Sequence, residues 1–181
     1  MERSIALIAI FAALIAALGL MPALFLAAGI PISAQSLGVM LAGTVLGAWR
    51  GGLAALLFVV LVALGLPLLA GGRGGLGVFS SATVGFVVGF PFAALAAGLV
   101  MERLRRMPVA LAAGIAAAIG GILVLYVFGV LGFMMITGQS LTETLMVLWV
   151  YLPGDVVKVV LTGLITAALA RARPASVLSR L

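Results

Sequence analysis

The sequence has no cysteine and no histidine among its 181 residues. Without cysteine it has no disulfide framework, no thiolate nucleophile and no iron–sulfur cluster. Without histidine it lacks the imidazole base of many enzymes and the usual ligand of zinc and haem. We therefore predict that the protein is not an enzyme and that it holds no metal and no cofactor.

Charged residues are also scarce, at 8% of the chain, whereas 66% of the residues are hydrophobic. A water-soluble domain of this size needs far more charged surface. The composition therefore predicts one transmembrane domain over residues 1–181, surrounded by lipid in the cytoplasmic membrane. The net charge of +6 is compatible with nucleic-acid binding. We predict no such partner, because the basic residues lie at the ends of apolar segments, as the positive-inside rule expects.

Apolar segments predict an all-α integral membrane protein with six transmembrane helices, at residues 5–21, 37–48, 53–65, 82–101, 109–135 and 154–170. The second and third are short for a span of about 20 residues. The first also resembles a signal peptide, but a first transmembrane helix is the simpler interpretation in a chain that is apolar throughout. Its Ala9, Ala13 and Ala17 form a stripe of small residues that permits close approach of another helix.

The connections between these segments are recognised by glycine, proline and polar residues. Residues 22–36 predict an irregular connection in which Gln35 and Ser36 cap the next helix. Residues 49–52 predict a turn and residues 137–144 a polar turn. The apolar piece at 145–151 is predicted to be interfacial or a helical approach to the last span.

Arginine and lysine give the predicted orientation. With six helices and the amino terminus inside, eight arginines fall at the inner ends, whereas Arg73 and Lys158 fall at the outer side. Basic residues concentrate on the cytoplasmic side. We therefore predict that both termini are cytoplasmic.

An acid and a base, Asp155 and Lys158, begin the last apolar segment within YLPGDVVKVVL. A charge at bilayer depth costs roughly 2.5–3.5 kcal/mol on insertion scales, so such a pair indicates a functional site in which each is the other's candidate partner. The i, i+3 spacing places both on one face of a helix. The alternative is a plain ion pair that fixes helix packing.

The second polar signal is a glycine-rich loop on the same predicted side, with Gly71, Gly72, Gly74 and Gly75 around Arg73. Such a run is a poor helix, and glycine permits the backbone to approach a ligand closely. A flexible linker is the alternative. A nucleotide phosphate loop is not indicated, because no Gly-Lys-Ser/Thr follows.

Three blocks of sequence resemble the BioY family, the biotin-binding S components of energy-coupling-factor (ECF) vitamin transporters. They are IPISAQSLGVMLAGTVLGAWRGGLA, LVALGLPLLAGGRGGLGVF and YLPGDVVKVVL. The resemblance implies the ECF S-component fold, capture of biotin from outside, and a partner module of one transmembrane T component and two ATPases. It also implies homo-oligomers if the protein works alone. Ala9, Ala13 and Ala17 would then dock on the T component.

The resemblance also implies a set of ligand contacts. Asp155 would accept from the ureido N–H groups, and Lys158 would donate to the ureido oxygen or the carboxylate. Arg73 is a second candidate for the carboxylate, although a solvated loop charge is the alternative. Apolar walls would come from Phe79, Phe86 and Tyr151.

One motif departs from the family, which usually has Gly-Pro-Thr after the glycine loop, where this chain has Ser81-Ala82-Thr83. Thr83 is retained as a candidate contact, and the hydroxyls of Ser80 and Ser81 are candidate substitutes for the backbone ligand contacts of the family's turn.

Three other functions stay open. An intramembrane enzyme would use Ser80 or Ser81 with Lys158 as a Ser–Lys dyad, but no Gly-x-Ser-x-Gly motif supports it. A structural or assembly subunit would need Asp155 and Lys158 only for folding. An S component for another small anionic vitamin would use the same charges for a different ligand.

Overall fold

The computed structural model describes residues 2–22, 24–25 and 31–180 of the chain. Within these ranges the helices are α1 (Glu2–Gly19), α2 (Gln35–Leu46), α3 (Ala48–Ala63), α4 (Val84–Arg103), α5 (Val109–Ala117), α6 (Leu125–Thr137), α7 (Leu141–Trp149) and α8 (Leu152–Ala172). A π-helical segment, Ala118–Val124, joins α5 to α6, and Val109–Thr137 is one helical element of 29 residues. In this part of the chain, strands are limited to β1 (Leu24–Phe25) and β2 (Pro31–Ile32), which pair antiparallel.

Four of the helical elements are long and apolar enough to cross a membrane, namely Glu2–Gly19, Val84–Arg103, Val109–Thr137 and Leu152–Ala172. α2 and α3 are also apolar but shorter, with 12 and 16 residues. The predicted helical membrane architecture is thus confirmed. The predicted apolar segments coincide with these helices to within a few residues at most ends.

α4 contacts α2, α3, α5 and α6, and small residues make these contacts close. A Cβ atom added to Gly43 of α2 would lie 2.8 Å from the Cβ of Ala97, and one added to Gly120 would lie 2.7 Å from it. Between membrane helices, packing of this kind replaces the hydrophobic driving force that lipid does not supply. The small residues therefore fix how deeply α4 is embedded in the bundle.

α2 and α8 are joined by buried hydroxyls that we call the threonine row, Thr44, Thr162 and Thr166, each 0% exposed. The Oγ1 atoms of Thr44 and Thr166 lie 3.1 Å apart, and Thr44 Oγ1 also donates to Met40 O at 3.0 Å. Thr162 Oγ1 donates to Lys158 O at 2.8 Å and lies 3.7 Å from Met40 Sδ. Bonding back to the preceding turn satisfies the hydroxyls of Thr44 and Thr162 inside the bundle, and Thr166 is paired with Thr44.

The C-terminal segment after α8 folds back as two 3-10 turns, Pro174–Ser176 and Leu178–Arg180. Ser179 is 0% exposed and its hydroxyl donates to Thr44 O near the end of α2. Arg180 Nη1 donates to Arg105 O at 2.7 Å, just beyond α4. This segment therefore covers the carboxyl-terminal ends of α2 and α4.

The turn predicted at residues 49–52 is wrong, because these residues lie in the first turns of α3. The chain bends two residues earlier, at Gly47, whose φ is +87°. Gly51 serves packing, since a Cβ there would lie 2.6 Å from Ala42 O. A turn and a close helix contact both favour glycine because it has no side chain. The sequence alone does not show which of the two roles a given glycine has.

The polar turn predicted at residues 137–144 is also wrong over its second half, where α7 begins at Leu141. Glu143 N donates to Ser140 Oγ at 3.4 Å, and Ser140 N donates to Glu143 Oε2 at 2.8 Å. This is a capping box, which satisfies two otherwise free amide groups at a helix start. α7 therefore contains most of the helical approach predicted over residues 145–151, and it begins about one turn earlier than that prediction, at Leu141.

The glycine-rich loop between α3 and α4 is not helical around its glycines, as predicted. Gly71, Gly72 and Gly75 have φ of +78°, +69° and +80°, values that favour glycine. Leu69 and Ala70 within the loop are 4% and 1% exposed. The loop is thus packed on the bundle, and the flexible-linker interpretation is wrong for this part of it.

Candidate binding site

A cavity lies where the amino-terminal ends of α2, α4 and α8 meet α6 and the glycine-rich loop. Six of the predicted site residues line it: Arg73, Thr83, Phe86, Tyr151, Asp155 and Lys158. They come from segments that are far apart in sequence. The polar residues converge on one space with apolar walls, which is the usual form of a small-molecule site.

Asp155 and Lys158 form an ion pair at this cavity, with Lys158 Nζ 2.9 Å from Asp155 Oδ1. Pro153 and Asp155 lie in the first turn of α8, where the helix dipole favours an acid. Asp155 is 7% exposed, and a buried carboxylate needs partners for both oxygens. The pair is therefore both a packing contact of the bundle and part of the cavity wall.

Two hydroxyls that the sequence analysis did not place in the site complete this charge cluster. Lys158 Nζ donates to Ser36 Oγ at 2.9 Å. Tyr126 OH donates to Asp155 Oδ2 at 2.7 Å. Both oxygens of the carboxylate are thus engaged, and three helices meet at it. Tyr126 is one of only two tyrosines in the chain, and its isolation within an apolar span was the available signal.

Gln35 also lines the cavity, and the prediction that it and Ser36 cap a helix from residue 37 is wrong. α2 already begins at Gln35, and its N-cap residue is Ala34, which makes no side-chain cap bond. The Gln35 side chain is 2% exposed and connects the loop to α1. Its Nε2 donates to Leu68 O at 3.0 Å and to Ile15 O at 3.3 Å, and its Oε1 accepts from Ala70 N at 3.0 Å. Gln35 therefore holds the loop over the site.

Arg73 is folded in from the loop and is half-buried. Its Nε donates to Ala70 O at 3.2 Å and its Nη1 to Thr83 Oγ1 at 3.3 Å. Burial lowers the pKa of Arg73 from its ordinary value, yet an arginine stays protonated at neutral pH. The described cavity wall thus carries two cations and one anion, Arg73 and Lys158 against Asp155. The excess positive charge suits an anionic ligand.

Other predicted contacts lie outside the described cavity wall. Phe79 packs against the hydrophobic core of the bundle. Gly71, Gly72, Gly74 and Gly75 shape the loop, and a side chain at Gly74 would collide with Leu66 O. Phe90, which was not predicted, adds an apolar wall beside Phe86.

The two serines of the hypothetical Ser–Lys dyad are not bonded to Lys158. Ser81 Oγ donates to Val78 O at 2.7 Å and lies 2.9 Å from Thr83 Oγ1. Ser80 is exposed. The geometry gives neither serine a base, and Lys158 is engaged by Asp155 instead.

Ala9, Ala13 and Ala17 lie on the exposed face of α1. The opposite face carries Ala12 and Ile15, which are 3% and 0% exposed and pack in the core. The stripe is therefore on the outside of the bundle, away from the residues that line the cavity.

Fold and site together define a multi-pass membrane protein that encloses a charged cavity between its helices and a packed loop. The chain belongs to the BioY family, whose model matches residues 2–175. A biotin transporter BioY of Rhodobacter capsulatus is 54% identical over 99% of this chain and 100% of that relative. Another, of Rhizobium etli, is 46% identical over 92% of each chain.

The fold has a counterpart of known structure. The crystal structure of the S-component for biotin from an ECF-type ABC transporter matches this chain with a TM-score of 0.88. The two are 26% identical, and the match covers 94% of this chain and 92% of that one.

Proposed function

We propose that this protein captures biotin and takes it up across the cytoplasmic membrane as the S component of an ECF transporter. The observation that carries the proposal is the likeness, over nearly the whole chain, to relatives named as biotin transporters. The cavity supports it, because it combines a carboxylate, two cations and aromatic walls. Transport, and not catalysis, is the activity that this site serves.

The cavity offers each part of biotin a partner. Asp155 accepts from the ureido N–H groups, and Lys158 donates to the ureido oxygen. Arg73 attracts the carboxylate from the loop side, and Phe86, Phe90 and Tyr151 pack against the ring system. A bound ligand shares Asp155 with Tyr126 and Lys158, which hold the carboxylate in place before the ligand arrives.

Thermal unfolding in detergent tests the proposal directly. A ligand that binds only the folded protein at 100 times its Kd stabilises it by about 2.7 kcal/mol. We expect biotin to raise the Tm by several degrees, whereas a different anionic vitamin at the same concentration leaves it unchanged. An equal shift with the second vitamin would assign the site to that wider class, and no shift with either would leave a structural subunit as the better account.

We further propose six membrane spans with both termini cytoplasmic. α2 and α3, although short, supply the second and third spans. The basic residues support the orientation, since several are gathered at one end of the bundle: Arg3 Nη2 donates to Ala175 O at 2.9 Å and Arg50 Nε to Ser4 Oγ at 3.2 Å. Arg180 joins them beside Arg105. This end is opposite the cavity, which then faces outward.

Single cysteines test this topology without background, because the chain has no native cysteine. Gly77 and Ala175 are suitable sites, since both are exposed and a side chain at Gly77 meets no atom within 4 Å. In intact cells we expect a membrane-impermeant maleimide to label Gly77→Cys and to spare Ala175→Cys until the membrane is opened. The reverse pattern contradicts the orientation, and labelling of both contradicts the odd number of spans proposed between the two sites.

The exposed alanine stripe of α1 is the proposed docking face for the T component, which two ATPases energise. Small residues permit close helix contact inside a bilayer, and Ala9, Ala13 and Ala17 are exposed along the length of α1. In a protein that works without this module, the same face is available to a second copy.

Ala13→Leu is expected to weaken association with a T component, because the larger side chain keeps the two helices apart. Biotin affinity should stay near the wild-type value, since the stripe lies outside the cavity. Ala168→Leu, at an exposed position of α8, is the matched control and should assemble normally. Co-purification of the subunits and calorimetry with biotin measure the two effects. Lost binding with intact assembly would reverse the assignment.

A further inference from the structure

A row of hydrogen bonds runs from Arg73 in the loop to the backbone of the 3-10 turn that follows it, Leu76–Ser80. Arg73 Nη1 donates to Thr83 Oγ1 at 3.3 Å. Thr83 Oγ1 and Ser81 Oγ lie 2.9 Å apart. Ser81 Oγ lies 2.7 Å from Val78 O. Thr83 and Val78 are each 5% exposed, so the inner part of the row is shielded from water.

The direction of every bond in this row follows from counting protons. A carbonyl oxygen only accepts, so the single hydroxyl proton of Ser81 is given to Val78 O. Ser81 then has only lone pairs to offer Thr83, and the Thr83 hydroxyl proton must point at Ser81. That leaves the lone pairs of Thr83 directed at Arg73, whose guanidinium only donates. The row thus runs one way, from Arg73 through Thr83 and Ser81 to Val78.

The direction of these bonds ensures that Thr83 presents a lone pair, and not a proton, to the Arg73 guanidinium. If Ser81 did not accept the Thr83 proton, the hydroxyl of Thr83 would be free to rotate and to point its proton at Arg73. With Ser81 in place, Arg73 is fixed at Nη1 by Thr83 and at Nε by Ala70 O. A guanidinium has five N–H donors, and these two bonds leave three. Within the described residues no carboxylate forms an ion pair with Arg73, so the three are available to a ligand.

We propose that Ser81 is a positioning residue that acts through Thr83 to aim Arg73 at the carboxylate of the bound ligand. The proposal rests on the proposed function, because the ligand is taken to be biotin. It goes further because it assigns part of the affinity for the ligand's carboxylate to Ser81, a residue that does not line the cavity. Hydrogen bonds in such a row polarise one another. Loss of the Ser81 hydroxyl therefore weakens the bond that Thr83 accepts from the Arg73 guanidinium.

The test compares biotin with biotinamide, in which the carboxylate is replaced by a neutral amide, using calorimetry in detergent. Ser81→Ala is expected to weaken biotin binding about three- to tenfold, the range for loss of one neutral hydrogen bond. Biotinamide affinity should stay unchanged. Ser81→Thr keeps the hydroxyl and should restore biotin binding. Ser80→Ala removes the neighbouring exposed hydroxyl, which has no part in the row, and is the matched control.

A second comparison separates positioning from structure. In an Arg73→Met background, Ser81→Ala should cause no further loss of biotin affinity, because its effect passes through Arg73. Equal weakening for biotin and biotinamide, or a full additional loss in the Arg73→Met background, would show that Ser81 only supports the fold. Unchanged affinities in Ser81→Ala would also overturn the proposal. If the wild-type protein binds neither compound, the proposed function itself fails, and this inference fails with it.

Discussion

Asp155→Asn is expected to lower the affinity for biotin tenfold or more. The asparagine has nearly the same shape, but it replaces one acceptor oxygen with an N–H donor that opposes the ureido N–H. A hydrogen bond to a charged group contributes about 1.5–3 kcal/mol net, which corresponds to roughly tenfold or more in Kd. Calorimetry in detergent measures the change. Glu2→Gln, an equivalent change at the exposed start of α1, should bind normally.

The competing interpretation, an ion pair that serves only the fold, makes a different prediction for the partner residue. Lys158→Met leaves Asp155 without its cation, and an orphaned buried charge is strongly destabilising. Removing both charges in Asp155→Asn/Lys158→Met should therefore recover stability. We expect this double variant to be folded and yet unable to bind biotin. A folded double variant with wild-type affinity would end the assignment of the pair to the site.

Gln35→Leu is expected to produce the largest loss of stability, because Gln35 makes three bonds in a buried position. The substitution removes the partners of Leu68 O, Ile15 O and Ala70 N. A buried polar group left unpaired costs about 1–3 kcal/mol, so we expect the free energy of unfolding to fall by about 2–4 kcal/mol. Chemical denaturation in detergent measures it.

The only other glutamine of the chain, Gln139, supplies the control for this prediction. Within the described residues its Oε1 is buried without a hydrogen-bond partner. Gln139→Leu therefore removes no bond and should leave stability unchanged or slightly raised. Equal effects of the two substitutions would mean that the bonds of Gln35 to the loop contribute nothing.

The charged part of the site could be predicted from the sequence because charge is rare in this chain. Asp155 and Lys158 stand out in an apolar segment, and their helical spacing places them together. Arg73 stands out in the same way. Ser36 and Tyr126 were missed because their contacts to Lys158 and Asp155 join residues 122 and 29 apart. Only the packing of α2 and α6 against α8 brings those hydroxyls to the charges.

The errors at element boundaries have a different physical origin. Local composition does not distinguish a glycine that bends the chain from one that lets a neighbouring helix approach closely. A turn was predicted at residues 49–52, but these residues lie in α3, where Gly51 serves packing. The start of α7 was available in principle, since Ser140 and Glu143 have the spacing of a capping box. The glycine-rich loop was recognised, but the buried glutamine that holds it lies 33 to 35 residues away in sequence.

The threonine row extends the polar character of the site along the seam between α2 and α8, which raises the question of proton conduction. Such conduction needs each group to receive one proton and release another. Thr162 donates to a backbone carbonyl and otherwise faces the sulfur of Met40, and a thioether has no proton to give. Thr44 also donates to a carbonyl. The hydroxyl protons of Thr44 and Thr162 thus end on backbone carbonyls of their own helices, so the threonine row holds α2 and α8 together through Thr44 and Thr166.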